Sequence, residues 1–263
     1  MQLHYQSLGN QTTNKAQPLV LLHGLFGSGD NWGTVAKHLS QQYQVVSVDL
    51  RNHGRSPHGH SQNYHNMAGD LLELCDALDL DRIHLLGHSM GGKVAMQFAT
   101  DHPDRVEKLI VVDMAPRAYA DAHTHLIDAM LAVDLSTMQS RGEVDKALNS
   151  RIPQAMVRQF LLMNLVKSDL NQEEAKLTWR INLPALRTNY PNLIQAVCEN
   201  ARYEKSCLFI RGEQSDYVLD QDIAQIKNHF TQAEFADLPT GHWIHAEQPQ
   251  AFIATVEKFL KDT

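Results

Sequence analysis

Cysteine is scarce in this chain. Its three residues, Cys75, Cys198 and Cys207, are an odd number without the spacing of zinc ligands, which argues against a disulfide framework or a structural metal site. Positive charge is also short. A net charge of −7, from 23 basic against 30 acidic side chains, argues against nucleic acid as the main partner, since phosphate binding needs a basic face. No apolar run approaches the roughly 18 residues that a membrane helix needs. The segment Met1-Gln2-Leu3-His4-Tyr5-Gln6 has no basic start followed by an apolar stretch, so neither membrane insertion nor a signal peptide is expected. Low-complexity tracts and internal repeats are missing too. What remains is the expectation of a soluble cytoplasmic protein, and 263 residues at 43% hydrophobic content are ample for a large buried core.

Short apolar runs alternate with helical patterns, the mark of a mostly parallel sheet with helices on both faces. Leu19 to Leu22, Tyr43 to Val48, Ile83 to Leu86, Leu109 to Val112 and Cys207 to Ile210 read as strands, with a last one in Ala233 to Leu238. Met67, Leu71, Leu74, Cys75 and Leu78 recur at helical spacing, as do Phe252, Ile253, Val256, Phe259 and Leu260. Val94, Ala95, Phe98 and Ala99 mark a helix that must end before His102-Pro103. After Val112 the alternation stops. Residues 115–200 show no strong strand and read as short helices broken at Pro153, Pro184 and Pro191. Structureless loops of that length are uncommon, so this segment is expected to be a helical cap on a core made of residues 1–114 and 201–263. It holds nine basic and nine acidic side chains, leaving 14 and 21 to the core. The net negative charge therefore belongs wholly to the core.

The sharpest feature is Gly87-His88-Ser89-Met90-Gly91-Gly92, directly after one strand and before a helix. A G-x-S-x-G turn in that context forces the serine into a tight bend with its hydroxyl projecting above the sheet. A side chain at Gly87 or Gly91 would crowd the bend. A second glycine-containing loop, His23-Gly24-Leu25-Phe26-Gly27, follows the first strong strand. Acyl transfer needs two N–H donors where the carbonyl oxygen becomes negative, and the backbones of Met90 and Leu25 are the candidates. His23 is expected to shape its loop through a hydrogen bond.

A serine hydroxyl becomes a nucleophile when an imidazole takes its proton. Of 15 histidines, His242 stands out, in Gly241-His242-Trp243-Ile244-His245 after the last strand; His245 competes, with packing its more natural role. A carboxylate must then fix the imidazole. Asp113 and Asp216 both follow strands and keep the chain order serine, acid, histidine. Position alone leaves both open, and spacing from the later strand slightly favours Asp216. Arg51, Asn52 and His53 read as a loop bracing the serine turn, with substrate contact as the alternative. Trp179 and Arg180 read as tunnel lining, as a headgroup contact, or as a buried Trp with a capping Arg. Lys93 reads as a surface residue or a structural pairing.

Together these segments resemble the α/β-hydrolase superfamily over nearly the whole chain. More narrowly, His23-Gly24-Leu25-Phe26-Gly27-Ser28, Asp49-Leu50-Arg51-Asn52-His53-Gly54 with Ser56-Pro57, Gly87 to Lys93, Gly241 to Ala246 and Trp179-Arg180-Ile181-Asn182-Leu183 resemble the YbfF-type esterases, a group similar to the abhydrolase-domain-containing-11 proteins. The resemblance implies a serine esterase with a helical cap, acting on small-molecule acyl esters and on acyl-CoA thioesters, without metal or organic cofactor. It implies Ser89 as nucleophile, His242 as base and, through Asp113-Met114-Ala115-Pro116, Asp113 as acid. Two other classes compete: a lyase or C–C bond hydrolase using the same residues, and a ligand-binding protein without turnover. Labelling by a fluorophosphonate separates the last from an active serine.

Overall fold

The computed structural model describes residues 1–9, 17–168 and 176–262. In chain order its elements are β1 (Tyr5–Leu8), β2 (Leu19–Leu22), α1 (Gly33–Leu39), β3 (Val45–Val48), α2 (Tyr64–Ala77), β4 (Ile83–His88), α3 (Met90–Asp101) and β5 (Val106–Val112). The inserted segment follows, with α4 (Thr124–Leu131), α5 (Arg141–Asn149), α6 (Ala155–Leu162), β6 (Leu165–Lys167), β7 (Leu177–Trp179) and α7 (Leu183–Leu193). The chain then returns to the core through β8 (Cys207–Gly212), α8 (Asp222–His229), β9 (Ala233–Leu238), α9 (Ile244–Glu247) and α10 (Pro249–Lys261).

Seven strands form one sheet in the order β1-β3-β2-β4-β5-β8-β9. All neighbours are parallel except β1 against β3. The central strands are apolar throughout because both of their faces are covered. Val20, Leu22, Val46, Val48, Leu85 and Val111 pack on the side of α2 and α3. Leu19, Leu21, Val45, Leu86, Ile110 and Val112 pack on the side of α1, α10 and the fully buried Trp32. The period-two alternation of a strand thus divides one apolar run between two cores. On α10, Phe252, Ile253, Val256, Phe259 and Leu260 form the buried stripe, as their spacing predicts.

The chain moves from β2 outward to β3 and then crosses back to place β4 on the other side of β2. Strand order reverses there, and a crevice opens beyond the carboxyl ends of the two strands. The register pairs Leu22 with Gly87, so the His23 loop and the Ser89 turn emerge side by side.

The sequence reading differs from the structure in three places. The edge strand β1 is exposed at all four residues and lacks the apolar run or alternation that announces a strand. The inserted segment contains a two-stranded antiparallel pair, β6 with β7, each too short to register as a pattern. Of the three prolines, Pro184 is the second residue of α7 and Pro191 lies inside that helix. Proline is tolerated in the first helical turn, where its missing N–H has no partner to lose. The expected span 115–200 also includes 169–175, outside the described residues. The segment is tied to the core by hydrogen bonds such as Asn164 Nδ2 to the Phe26 carbonyl at 2.8 Å and Tyr64 Oη to the Leu193 carbonyl at 2.6 Å.

Two glycines give opposite expectations. A Cβ at Gly87 would lie 2.1 Å from the Gly91 carbonyl oxygen, whereas one at Gly69, inside α2, meets nothing within 4 Å. Gly87→Ala is expected to abolish or severely reduce folding, and Gly69→Ala to raise stability by about 0.5–1 kcal/mol through its helix propensity. Urea unfolding of both variants checks this; a stable Gly87→Ala protein would contradict the packing of the turn.

Candidate active site

Ser89 lies between the end of β4 and the start of α3 with φ 54° and ψ −119°, a conformation strained for a residue with a side chain. Two close backbone approaches enforce it. Gly87 packs against Gly91, and a Cβ at Gly91 would come within 2.6 Å of the Leu22 and His23 carbonyls. The Ser89 N–H donates to the Val112 carbonyl at 3.0 Å, which anchors the turn to the neighbouring strand. Met90 is the first residue of α3, so its N–H has no intrahelical acceptor. Leu25 occupies the adjacent turn, closed by Gly27 N–H donating to the Gly24 carbonyl at 3.0 Å. Among the described backbone hydrogen bonds neither Leu25 nor Met90 donates its N–H.

His242 follows β9, and its Nδ1 donates to Asp113 Oδ2 at 2.7 Å. Asp113 sits at the end of β5 and is fully buried. Its Oδ1 accepts the Gly212 N–H at 3.2 Å, and its Oδ2 also accepts the Ser215 hydroxyl. The carboxylate is thereby held from both ends. Asp216 is exposed, and among the described residues its side chain makes no bond to His242. With Nδ1 occupied, the Nε2 of His242 is left to accept a proton. Tyr217 stacks on the His242 ring at 3.8 Å between centroids and 17° between planes, which fixes the imidazole plane. Ser89 and His242 line one cavity; no hydrogen bond joins them among the described contacts, a common condition where no substrate is bound.

His88 adds a strut. Its Nε2 lies 2.9 Å from the His242 carbonyl, which only accepts, so Nε2 carries the proton. Burial first, then the neighbouring His242, holds His88 well below the usual imidazole range, so it stays neutral. The loop of the imidazole is thus tied to the strand of the serine. His23 shapes its own loop as expected: Nδ1 donates to the Gly24 carbonyl at 2.8 Å and Nε2 accepts the Leu50 N–H at 3.0 Å. His245 packs 4.5 Å from Trp32 and 4.8 Å from His88, with its Nδ1 unpartnered among the described residues. Burial lowers it to about 4.

The Arg51 loop braces rather than binds. Arg51 holds Asp70 with two bonds of 2.5 and 2.7 Å, and Asn52 bonds Gln62 at 2.8 Å and accepts from Gly59 at 2.8 Å. Burial, with His23 nearby, lowers His53 to about 3. Trp179 and Arg180 do not line either cavity at the serine; the Arg180 head instead reaches the Met163 carbonyl at 3.5 Å. Lys93 is not on the surface: it is 1% exposed and lines a cavity. Ser215, Tyr217, His88 and Lys93 carried no sequence signal for the roles their positions give them.

Two cavities meet at Leu25, Ser89 and His123. The larger, about 510 Å³, has largely apolar walls from the inserted segment, including Leu126, Val157, Phe160 and Leu161. The smaller, about 310 Å³, lies toward Lys93 and is rich in tyrosine. Among the described residues no cluster of three or more His, Cys, Asp or Glu could hold a metal ion.

The buried histidines have a consequence for stability. His84, His123 and His245 are each lowered from 6.5 to about 4, chiefly by burial. They are neutral in the fold but protonate when unfolded, so the unfolded chain binds more protons between those values. Their contribution is intact above pH 6.5 and is lost as the pH falls toward 4. The urea midpoint is expected to drop between about pH 7.5 and about pH 5, and His245→Leu to narrow that drop. An equal drop in the variant would contradict the buried neutral imidazole.

Residues 17–249 match the model of the alpha/beta hydrolase fold. The chain is similar to the esterase YbfF of Escherichia coli strain K12, 35% identical over 264 residues covering all of both chains. It is 38% identical over 268 residues to the sn-1-specific diacylglycerol lipase ABHD11 of Mus musculus, covering 98% of this chain and 85% of that protein. Among solved structures, a marine microorganism esterase superposes with a TM-score of 0.92 at 37% identity, covering 98% of this chain and 99% of the other. On its sheet order, its serine turn and these matches, the chain belongs to the α/β-hydrolase family.

Proposed function

We propose that the chain is a serine hydrolase of small-molecule carboxylic esters, with Ser89, His242 and Asp113 as its catalytic triad. The observation that carries this reading is the 2.7 Å bond from His242 to Asp113, set beside a serine in a strained strand-to-helix turn. The esterase and lipase names of the relatives point the same way.

The reaction follows from the proton positions. His242 Nε2 takes the Ser89 hydroxyl proton as Oγ bonds to the acyl carbon. The carbonyl oxygen becomes an oxyanion, held by the N–H groups of Leu25 and Met90. Asp113 keeps Nδ1 protonated and stabilises the imidazolium; the stacked Tyr217 ring adds a favourable face for that cation. His242 then protonates the leaving oxygen, the ester bond breaks, and an acyl-serine remains. A water gives its proton to His242, attacks the acyl carbon and releases the acid, while Ser89 regains its proton. A thioester presents the same acyl carbon with a better leaving group, so acyl-CoA thioesters are included as substrates.

Residues 115–200 act as the cap over a core of residues 1–114 and 201–263. The largely apolar walls of the larger cavity suit an acyl chain. All three cysteines are free and buried, in keeping with a cytoplasmic setting.

Ser89→Ala is expected to abolish release of p-nitrophenol from short acyl esters. Asp113→Asn is expected to lower kcat/KM by about 10⁴-fold, and Asp216→Asn to leave it within a few-fold of the parent. Steady-state kinetics of the three variants check this. Turnover surviving in Ser89→Ala, or a larger loss in Asp216→Asn than in Asp113→Asn, would overturn the assignment.

A further inference from the structure

The hydrolase mechanism leaves the buried side chain of Lys93 unused. Lys93, on the first turn of α3, is 1% exposed. Its Nζ donates to the Gln195 carbonyl and lies 4.8 Å from the Tyr119 ring centroid and 5.5 Å from that of Tyr64. Both rings line the smaller cavity, as does Lys93 itself. Three sheltered arginines each have a carboxylate: Arg51 has Asp70 at 2.5 Å, Arg158 has Asp145 at 2.7 Å, and Arg117 has Asp222 at 2.9 Å. Lys93 has none among the described residues. An ammonium offers three N–H donors, and the protein supplies one carbonyl acceptor and two aromatic faces.

A buried cation without a counter-charge is strongly disfavoured. If the side chain served only to clamp α3 to the segment after α7, a neutral amide could donate to the Gln195 carbonyl without that penalty. Lys93 and both rings instead line a chamber of about 310 Å³ that also reaches Ser89.

We propose that this smaller cavity is a subsite for a carboxylate carried by the ester substrate, seated on the Lys93 ammonium beside Tyr64 and Tyr119. The inference rests on Ser89 being the nucleophile. The carboxylate stands either on the acyl arm or on the alcohol arm. The apolar cavity then holds the other arm, and the scissile carbonyl lies at the junction of the two.

The surroundings also set a pH dependence. Burial, with the nearby charge of Arg117, lowers Lys93 to about 7. Burial raises the hydroxyls of Tyr64, Tyr119 and Tyr190 above the ordinary value and moves Tyr217 and Cys198 to about 12. It lowers His123 to about 4. Arg117 remains paired with Asp222, and Asp216 is exposed at the cavity wall. Lys93 is therefore the group of this chamber that changes charge near neutrality. A substrate carboxylate is attracted below that pH and loses the attraction as the ammonium deprotonates.

Two matched ester pairs test this on the full chain: monophenyl adipate against phenyl hexanoate for the acyl arm, and 4-butanoyloxybenzoate against phenyl butanoate for the alcohol arm. The readout is the ratio of kcat/KM, acid ester over neutral ester, within each pair, which cancels pH effects common to both esters. In one pair the ratio is expected to fall about tenfold or more in Lys93→Met relative to wild type. In wild type that ratio is expected to decline from about pH 6 to about pH 8.5. Ratios equal in wild type and variant for both pairs would overturn the subsite. If Lys93→Met does not fold, the wild-type profile decides, and a ratio constant with pH overturns it. Hydrolysis of the two neutral esters by wild type tests the hydrolase reading separately.

Discussion

The hydrogen bond between His242 and Asp113 joins residues 129 positions apart, and the geometry of the site depends on it. Each group is also held by partners of its own. Asp113 is fixed because it ends a buried strand and its carboxylate accepts from Gly212 and Ser215. His242 is fixed because the loop that carries it is tied to His88 and its ring is stacked on Tyr217. Every one of these partners follows or ends a strand of the same sheet. Parallel strands aim their carboxyl ends to one side, so residues distant in sequence converge without any long reach.

Several neutral imidazoles surround the site. His23, His88 and His245 lie close to the reacting groups, and burial holds each below its ordinary value. Charged, they would oppose the imidazolium that the proposed mechanism forms on His242. Neutral, they offer aromatic packing and single, directed hydrogen bonds. The same burial that suits the chemistry makes the fold sensitive to acid, so one set of residues couples function to stability.

Most of the core was legible because apolar runs mark strands buried on both faces, and because Gly87 and Gly91 flank a serine where a Cβ has no room. Asp113 and Asp216 could not be separated from position, since β5 and β8 are adjacent and parallel and both loops open toward the same crevice. The burial of Asp113, its bond to His242 and the exposure of Asp216 distinguish them. β1 was hidden because an exposed edge strand needs no apolar pattern. The surface reading of Lys93 fails for a physical reason that the helix itself carries. The stretch Met90 to Ala99 is buried on every side, and a helix apolar nearly all round has no surface on which to place a lysine.

The central claim is that Ser89 is made nucleophilic by His242. Its most direct measurement is covalent labelling with a fluorophosphonate, followed by peptide mapping of wild type and of His242→Ala. The account expects one adduct per chain on the peptide containing Ser89, and labelling that is lost or greatly slowed in His242→Ala. No adduct at Ser89, or an equal rate in the variant, would contradict it.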